Sequence, residues 1–192
     1  MSRKLKADLE KENELLYAKL AKLEDAINAL SNPTSSVSTE MIPMTKIIKV
    51  VSLYDGILNL RTAYGQAATI FKFNFFGDEQ PIFYSDLVKC ISMQQRFFKD
   101  GFVMILDEEV VKAHYLVEHY KDLLNKDQIN SFLNFNEFEI NSIYPKLTTQ
   151  QKITVLQNIA NKINANTADR NKVDIVSNIS KVDLNELANK LK

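Results

Sequence analysis

This sequence is poor in cysteine, glycine and proline. It has no long apolar run and no net charge. A single cysteine, Cys90, excludes an internal disulfide. The four glycines form no GxGxxG or GxxxxGKS/T pattern, so no phosphate-cradling loop is present. GxSxG is also missing, and Cys90 has no evident histidine partner for nucleophilic chemistry. No stretch of roughly 18 apolar residues exists to span a bilayer, and the N-terminus is a charged helix rather than a signal peptide. Lysine plus arginine number 24 and aspartate plus glutamate 24, so no global field draws nucleic acid or an anionic membrane. These absences predict a non-enzymatic protein without cofactor, metal or small-molecule substrate. Its expected location is a reducing cytoplasm.

What the sequence does have begins at its N-terminus. Leu9, Leu16, Leu23 and Leu30 recur every seven residues, and Lys6, Asn13, Leu20 and Ile27 stand three positions before them. This is a heptad with leucine at every d position. Leucine at d favours two parallel strands, and one asparagine at a fixes register at some cost in stability. Asn13 is the candidate register device. Lys19 at g meets Glu24 at the partner's e. The predicted oligomerisation set is therefore Leu9, Asn13, Leu16, Leu20, Leu23, Ile27 and Leu30, in a homodimer; Leu20 and Ile27 at a leave a trimer as the alternative. The rod is roughly 40 Å long at ~1.5 Å per residue. Residues 5–30 resemble a short leucine zipper. MSRKLK is too short to be a DNA-binding basic region, so that half of the family pattern is missing.

Residues 31–45, SNPTSSVSTEMIPMT, read as a tether. Asn32-Pro33 stops the helix, and the serines and threonines compete for the backbone. Met41, Ile42 and Met44 are candidates to dock at its far end.

From Lys46 the period shortens. KIIKVVSLY, ILNLR, ATIFKFNFF and the segment from Pro81 to Tyr84 read as four short strands, with turns at Asp55-Gly56, Tyr64-Gly65-Gln66 and Gly77-Asp78. Ser85 is the expected N-cap of a helix over 86–99, striped by Leu87, Cys90, Ile91 and Phe97 or Phe98. Gly101 is its expected stop, and 102–106, FVMIL, a buried strand. Helices follow over 107–125 (with a break near His114), 126–135, 137–144 and 148–163. The last has a capping box in form, Thr148 to Gln151, and a stripe of Ile153, Leu156, Ile159, Ala160 and Ile163. Residues 164–171 read as loose, and two short helical pieces close the chain. The expected class is α+β: a coiled-coil helix (1–30), a linker (31–45), a small antiparallel sheet or barrel-like module with a helix (46–106), a helical region packed on it (107–163) and a short helical segment (164–192).

Four features raise the question of chemistry. His114 and His119 lie five apart and diverge by about 140° on a helix, unlike a zinc pair at i, i+4. Cys90 falls on a buried stripe, where packing rather than reactivity is expected. Asp107-Glu108-Glu109 follows a strand, where a carboxylate serves a metal, a general base or, far more often, the positive end of a helix. Phe71, Phe73 and Phe75, with Lys49, Arg61 and Lys72, form an alternative set of nucleic-acid contacts, because single-strand binders combine aromatic platforms with basic grooves. Residues 46–106 hold seven basic and five acidic residues, a poor groove, and alternating phenylalanine is more often a core face.

FGDEQPIFYSDLVKC and KDGFVMILDEEVVKAHYLVEHYKDLLNKDQI, behind the heptad helix, resemble small accessory proteins of tailed bacteriophages. That resemblance implies a virion or assembly component whose partner is a larger protein assembly. It carries no functional residue across. The second expectation is a coil-dimerised nucleic-acid-binding regulator.

Overall fold

Strand β1, Ile47–Ser52, is the middle of a three-stranded antiparallel sheet. In this computed structural model, which describes residues 41–191, it pairs with β4 (Glu79–Phe83) on one side and β5 (Val103–Ile105) on the other. The heptad residues Leu9 to Leu30, and linker residues 31–40, lie outside the described residues. Strands β2 (Leu58–Arg61) and β3 (Ile70–Phe73) form a separate antiparallel hairpin. The hairpin curls against β4: the Gln80 side-chain amide donates to the Lys72 carbonyl at 3.3 Å. The expected small antiparallel sheet is thus two sheets, curled rather than closed.

Alternation along β1 divides the interior in two. Ile48 and Val50, with Val103 and Ile105, face a core completed by Leu60 and Phe73 of the hairpin and by α1 (Tyr84–Met93). Val51, Leu53 and Met104 point the other way, into a core built by the helical half. Each side of the sheet is thereby covered by a different part of the chain, the layered arrangement that amphipathic elements require.

Expected boundaries move where a side chain has other work. The helix expected over 86–99 is α1 and α2 (Gln95–Lys99), broken at Gln94. The Gln94 side chain accepts from the Arg61 amide at 2.7 Å and donates to the Asn59 carbonyl at 3.1 Å, so it satisfies the outer edge of β2. Ser85 is not the N-cap. The helix starts two residues earlier than expected, at Tyr84, and the Tyr84 and Ser85 amides donate to the Lys46 and Met44 carbonyls. Gly101 does turn the chain, at φ +79°, and Ile42 packs on the hairpin-side core while Met41 and Met44 stay exposed.

After β5 come α3 (Glu108–Ala113) and α4 (Val117–Tyr120), separated at His114 to Leu116, where Tyr115 adopts φ 55°. Next are α5 (Lys126–Asn130), α6 (Glu137–Ile143) and α7 (Thr149–Asn164). Asn125 with Gln128, and Asn136 with Glu139, form full capping boxes. The Thr148 box is only half made. Thr148 Oγ1 accepts from the Gln151 amide, but the Gln151 side chain turns inward and brackets Leu124, accepting from its N–H at 2.9 Å and donating to its C=O at 2.7 Å. The α7 stripe is rotated accordingly. Ile153 is exposed, while Gln151 and Thr154 are buried. Helix α8 (Arg170–Ser180) starts earlier than the loose segment allowed, because Asp169 caps it. Helix α9 (Leu184–Lys190) packs against α7. Among the described residues, no helix is long and apolar enough to cross a membrane.

Candidate protein-docking surface

The chemistry-bearing residues are held in structural roles. Cys90 is fully buried, and burial pushes its thiol up to about 11. His114 Nε2 lies 3.2 Å from the Tyr84 hydroxyl, and burial lowers its pKa. His119 stands exposed on α4, a separate element. No three His, Cys, Asp or Glu side chains come together as a metal site among the described residues.

Asp107 caps α3, its Oδ1 accepting from the Glu109 and Val110 amides at 3.1 and 3.3 Å. Lys46 reaches across from the start of β1 to Asp107 at 2.9 Å and Glu109 at 2.7 Å. Burial pushes the Asp107 carboxyl up, but Lys46 and the two amides outweigh it and hold the group below its ordinary value. Glu109 and Asp107 in turn raise Lys46. The acidic cluster is therefore a helix cap clasped to β1.

The alternative nucleic-acid set is not brought to one surface. Leu58 opposes Phe73 and Leu60 opposes Phe71, so these four share the inner face of the hairpin. Phe73 is fully buried and Phe71 half-buried. Arg61 and Lys72 lie on the outer face, opposite the aromatic pair. Phe75 is exposed beyond the end of β3, and Lys49 belongs to the other sheet. Phe71 and Phe73 are core residues because the pleat turns them inward together with Leu58 and Leu60.

A different surface emerges on the three-stranded sheet. On the face whose other end carries Val51 and Met104, Ile47 pairs with Phe83 and Lys49 with Pro81. The Leu106 amide donates to the Lys49 carbonyl at 3.1 Å, which places Leu106 beside Lys49 on the β5 side. The face thus carries two uncovered rows, Phe83–Ile47 and Pro81–Lys49–Leu106. Ile47 is 59% exposed, Phe83 52% and Leu106 50%. One row further on, Val51 is 2% exposed and Met104 8%. The helical half covers the face up to that row and no further.

Beside Leu106 an apolar groove of about 330 Å³ opens between β5 and α3–α4. Val111, Val117 and Tyr120 line it, with Glu108, Lys112 and Lys121 at the rim. Tyr120 also closes part of the sheet edge, its hydroxyl accepting from the Ile105 amide at 3.1 Å, and burial pushes that phenol up to about 12. Edge strands with free backbone groups invite unwanted pairing, and this bond blunts one. The groove therefore offers side-chain surface rather than an open ladder.

The charges around this surface are mostly committed. Lys46 is held by Asp107 and Glu109, Lys112 pairs with Glu108 and Lys121 with Glu118. Lys49 makes no ion pair among the described residues. Its position was the signal that could have exposed this site from sequence: in Ile47-Ile48-Lys49-Val50-Val51, a lysine on the Val51 face marks where that face meets water. Comparison with protein-family models, curated proteins and solved structures finds no match to this chain.

Proposed function

We propose that this chain is a non-enzymatic assembly protein. It self-associates through the heptad helix of residues 1–30 and docks on a larger protein assembly, a virion under the bacteriophage resemblance. The docking element is the uncovered end of the β4-β1-β5 sheet. One observation carries this: Ile47, Phe83 and Leu106 are exposed apolar side chains grouped on one face of a sheet whose next row buries Val51 and Met104. Contiguous apolar surface on a folded unit marks an interaction site more often than scattered exposed residues do. Two or more copies on one stalk multiply a weak contact by roughly 10²–10⁴ in avidity.

Sedimentation of the full chain tests self-association. A dimer is expected, with Leu16→Asp plus Leu23→Asp giving monomer at the same helix-to-strand content in the rest of the chain. A monomeric wild-type chain removes the stalk. Titration with single-stranded DNA at low salt tests the regulator alternative. No binding is expected; affinity falling steeply with salt would restore it.

A further inference from the structure

Resting on that docking surface, we infer that its occupant is an amphipathic helix of another protein whose apolar face carries a carboxylate, and that Lys49 is the residue that recognises it. Lys49 stands between Pro81 and Leu106, with Ile47 and Phe83 in the next row. Any occupant that covers the apolar rows also takes the Lys49 ammonium out of water. A desolvated charge without a partner is strongly unfavourable, so a stable occupant must bring an acceptor of opposite sign. Among the described residues the nearby carboxylates are engaged elsewhere: Asp107 and Glu109 hold Lys46, Glu79 pairs with Lys126, and Glu108 with Lys112.

The same point disfavours a second copy of the chain. A two-fold contact would set this patch against itself, with two Lys49 ammoniums near the axis and no carboxylate between them. The dimensions favour a helix over a strand. Three strands at about 4.8 Å spacing present a strip on the order of 10 Å wide, the diameter of one helix. The edge beside Leu106 leads into the groove lined by Val111 and Val117, where an apolar side chain from the same helix fits. A strand added to β5 would have to displace Tyr120 from the Ile105 amide.

The test uses a displayed library of random 16-residue peptides, selected on the full-length protein and counter-selected on Ile47→Asp plus Phe83→Asp. Both variants are first matched to wild type in thermal unfolding. The expected winners carry Asp or Glu within apolar residues at helical spacing. Lys49→Glu is expected to weaken such a peptide roughly 30-fold or more. Exchanging the peptide acid for lysine should restore binding to Lys49→Glu. Winners without acidic bias, or unchanged by Lys49→Glu, overturn the role of Lys49 while leaving the docking surface standing. If no selected peptide needs Ile47 and Phe83, the docking surface itself fails and the inference with it. An oligomeric mass that changes in Ile47→Asp, without peptide, also overturns it, in favour of a second copy as occupant.

Discussion

Leu53 and Ile47 belong to the same strand region and point to the same side, yet one is fully buried and the other 59% exposed. Their hydrophobicity does not separate them. What separates them is where the chain returns. The helical half lays Ile129, Phe132 and Val155 over Val51, Leu53 and Met104, and leaves the next two rows of the sheet uncovered. Burial on a sheet is decided by the layer placed above it, so an apolar row that no layer reaches stays at the surface. The two ends also differ in polar content. The covered end is stitched by buried hydrogen bonds, from Thr154 Oγ1 to the Leu53 carbonyl at 2.9 Å and from Gln151 to both backbone groups of Leu124. At the bare end Lys49 makes no ion pair among the described residues.

The largest contrast is in stability. Leu53→Ala removes a fully buried side chain between sheet and helices, and should cost about 2–5 kcal/mol. Ile47→Ala, a similar truncation six residues earlier, should stay within about 0.5 kcal/mol. Urea unfolding of both variants, with unchanged m, reads this directly. Equal losses at the two positions would mean that the bare end is covered after all.

Next in size is Gln151→Leu. It preserves most of the volume but strands the Leu124 N–H and C=O in the interior, at about 1–3 kcal/mol for each group left unsatisfied. Thr154→Val, which takes one bond from the Leu53 carbonyl, should cost less, about 1 kcal/mol. If Gln151→Leu were neutral, the covered end would be held by apolar packing alone.

How far the sequence carries this contrast differs between its two ends. The strands were legible because the β-rich apolar run KIIKVVSLY and the alternation in ILNLR and IFKF are local, and the chain reverses at glycines. The buried side of α7 was legible in part: Leu156, Ile159 and Ala160 are buried as expected, and Ile153 is not. Ile153 reads as core and Gln151 as a capping residue, but helix rotation is set by Leu124 and Leu53, which lie 27 and 101 residues away from their partners on α7. Likewise Gln94 breaks a continuous-looking helix because a strand edge more than thirty residues earlier takes its amide. Local pattern foretold which residues could be core. It carried no information on which end of the sheet the helices would reach, apart from the single lysine at Lys49. The acidic cluster was legible as a helix cap. The clasp from Lys46 was not, since it spans 61 and 63 residues to Asp107 and Glu109.

The smallest expected effect separates the ends by pH. His114 closes α3 next to the bare end and meets Tyr84, the first residue of α1, whereas Gln151 and Thr154 at the covered end do not titrate. Burial lowers the folded-state pKa of His114 below the ordinary 6.5. Between those two values the unfolded chain binds the proton and the folded chain does not, so unfolding is favoured as pH falls. The contribution is complete above about pH 7 and is lost as pH drops through 6.5 toward the folded value. Asp107 acts in a separate, more acid window. Its folded pKa is depressed below 3.8, so its stabilisation is present above that value and lost as pH falls through the lower one. Stability measured by urea at closely spaced pH values between 7.5 and 5 should therefore decline in wild type and flatten in His114→Gln. In Asp107→Asn the same decline should persist, because that group titrates elsewhere. A slope unchanged by His114→Gln would assign the pH dependence to a group outside the α1–α3 contact.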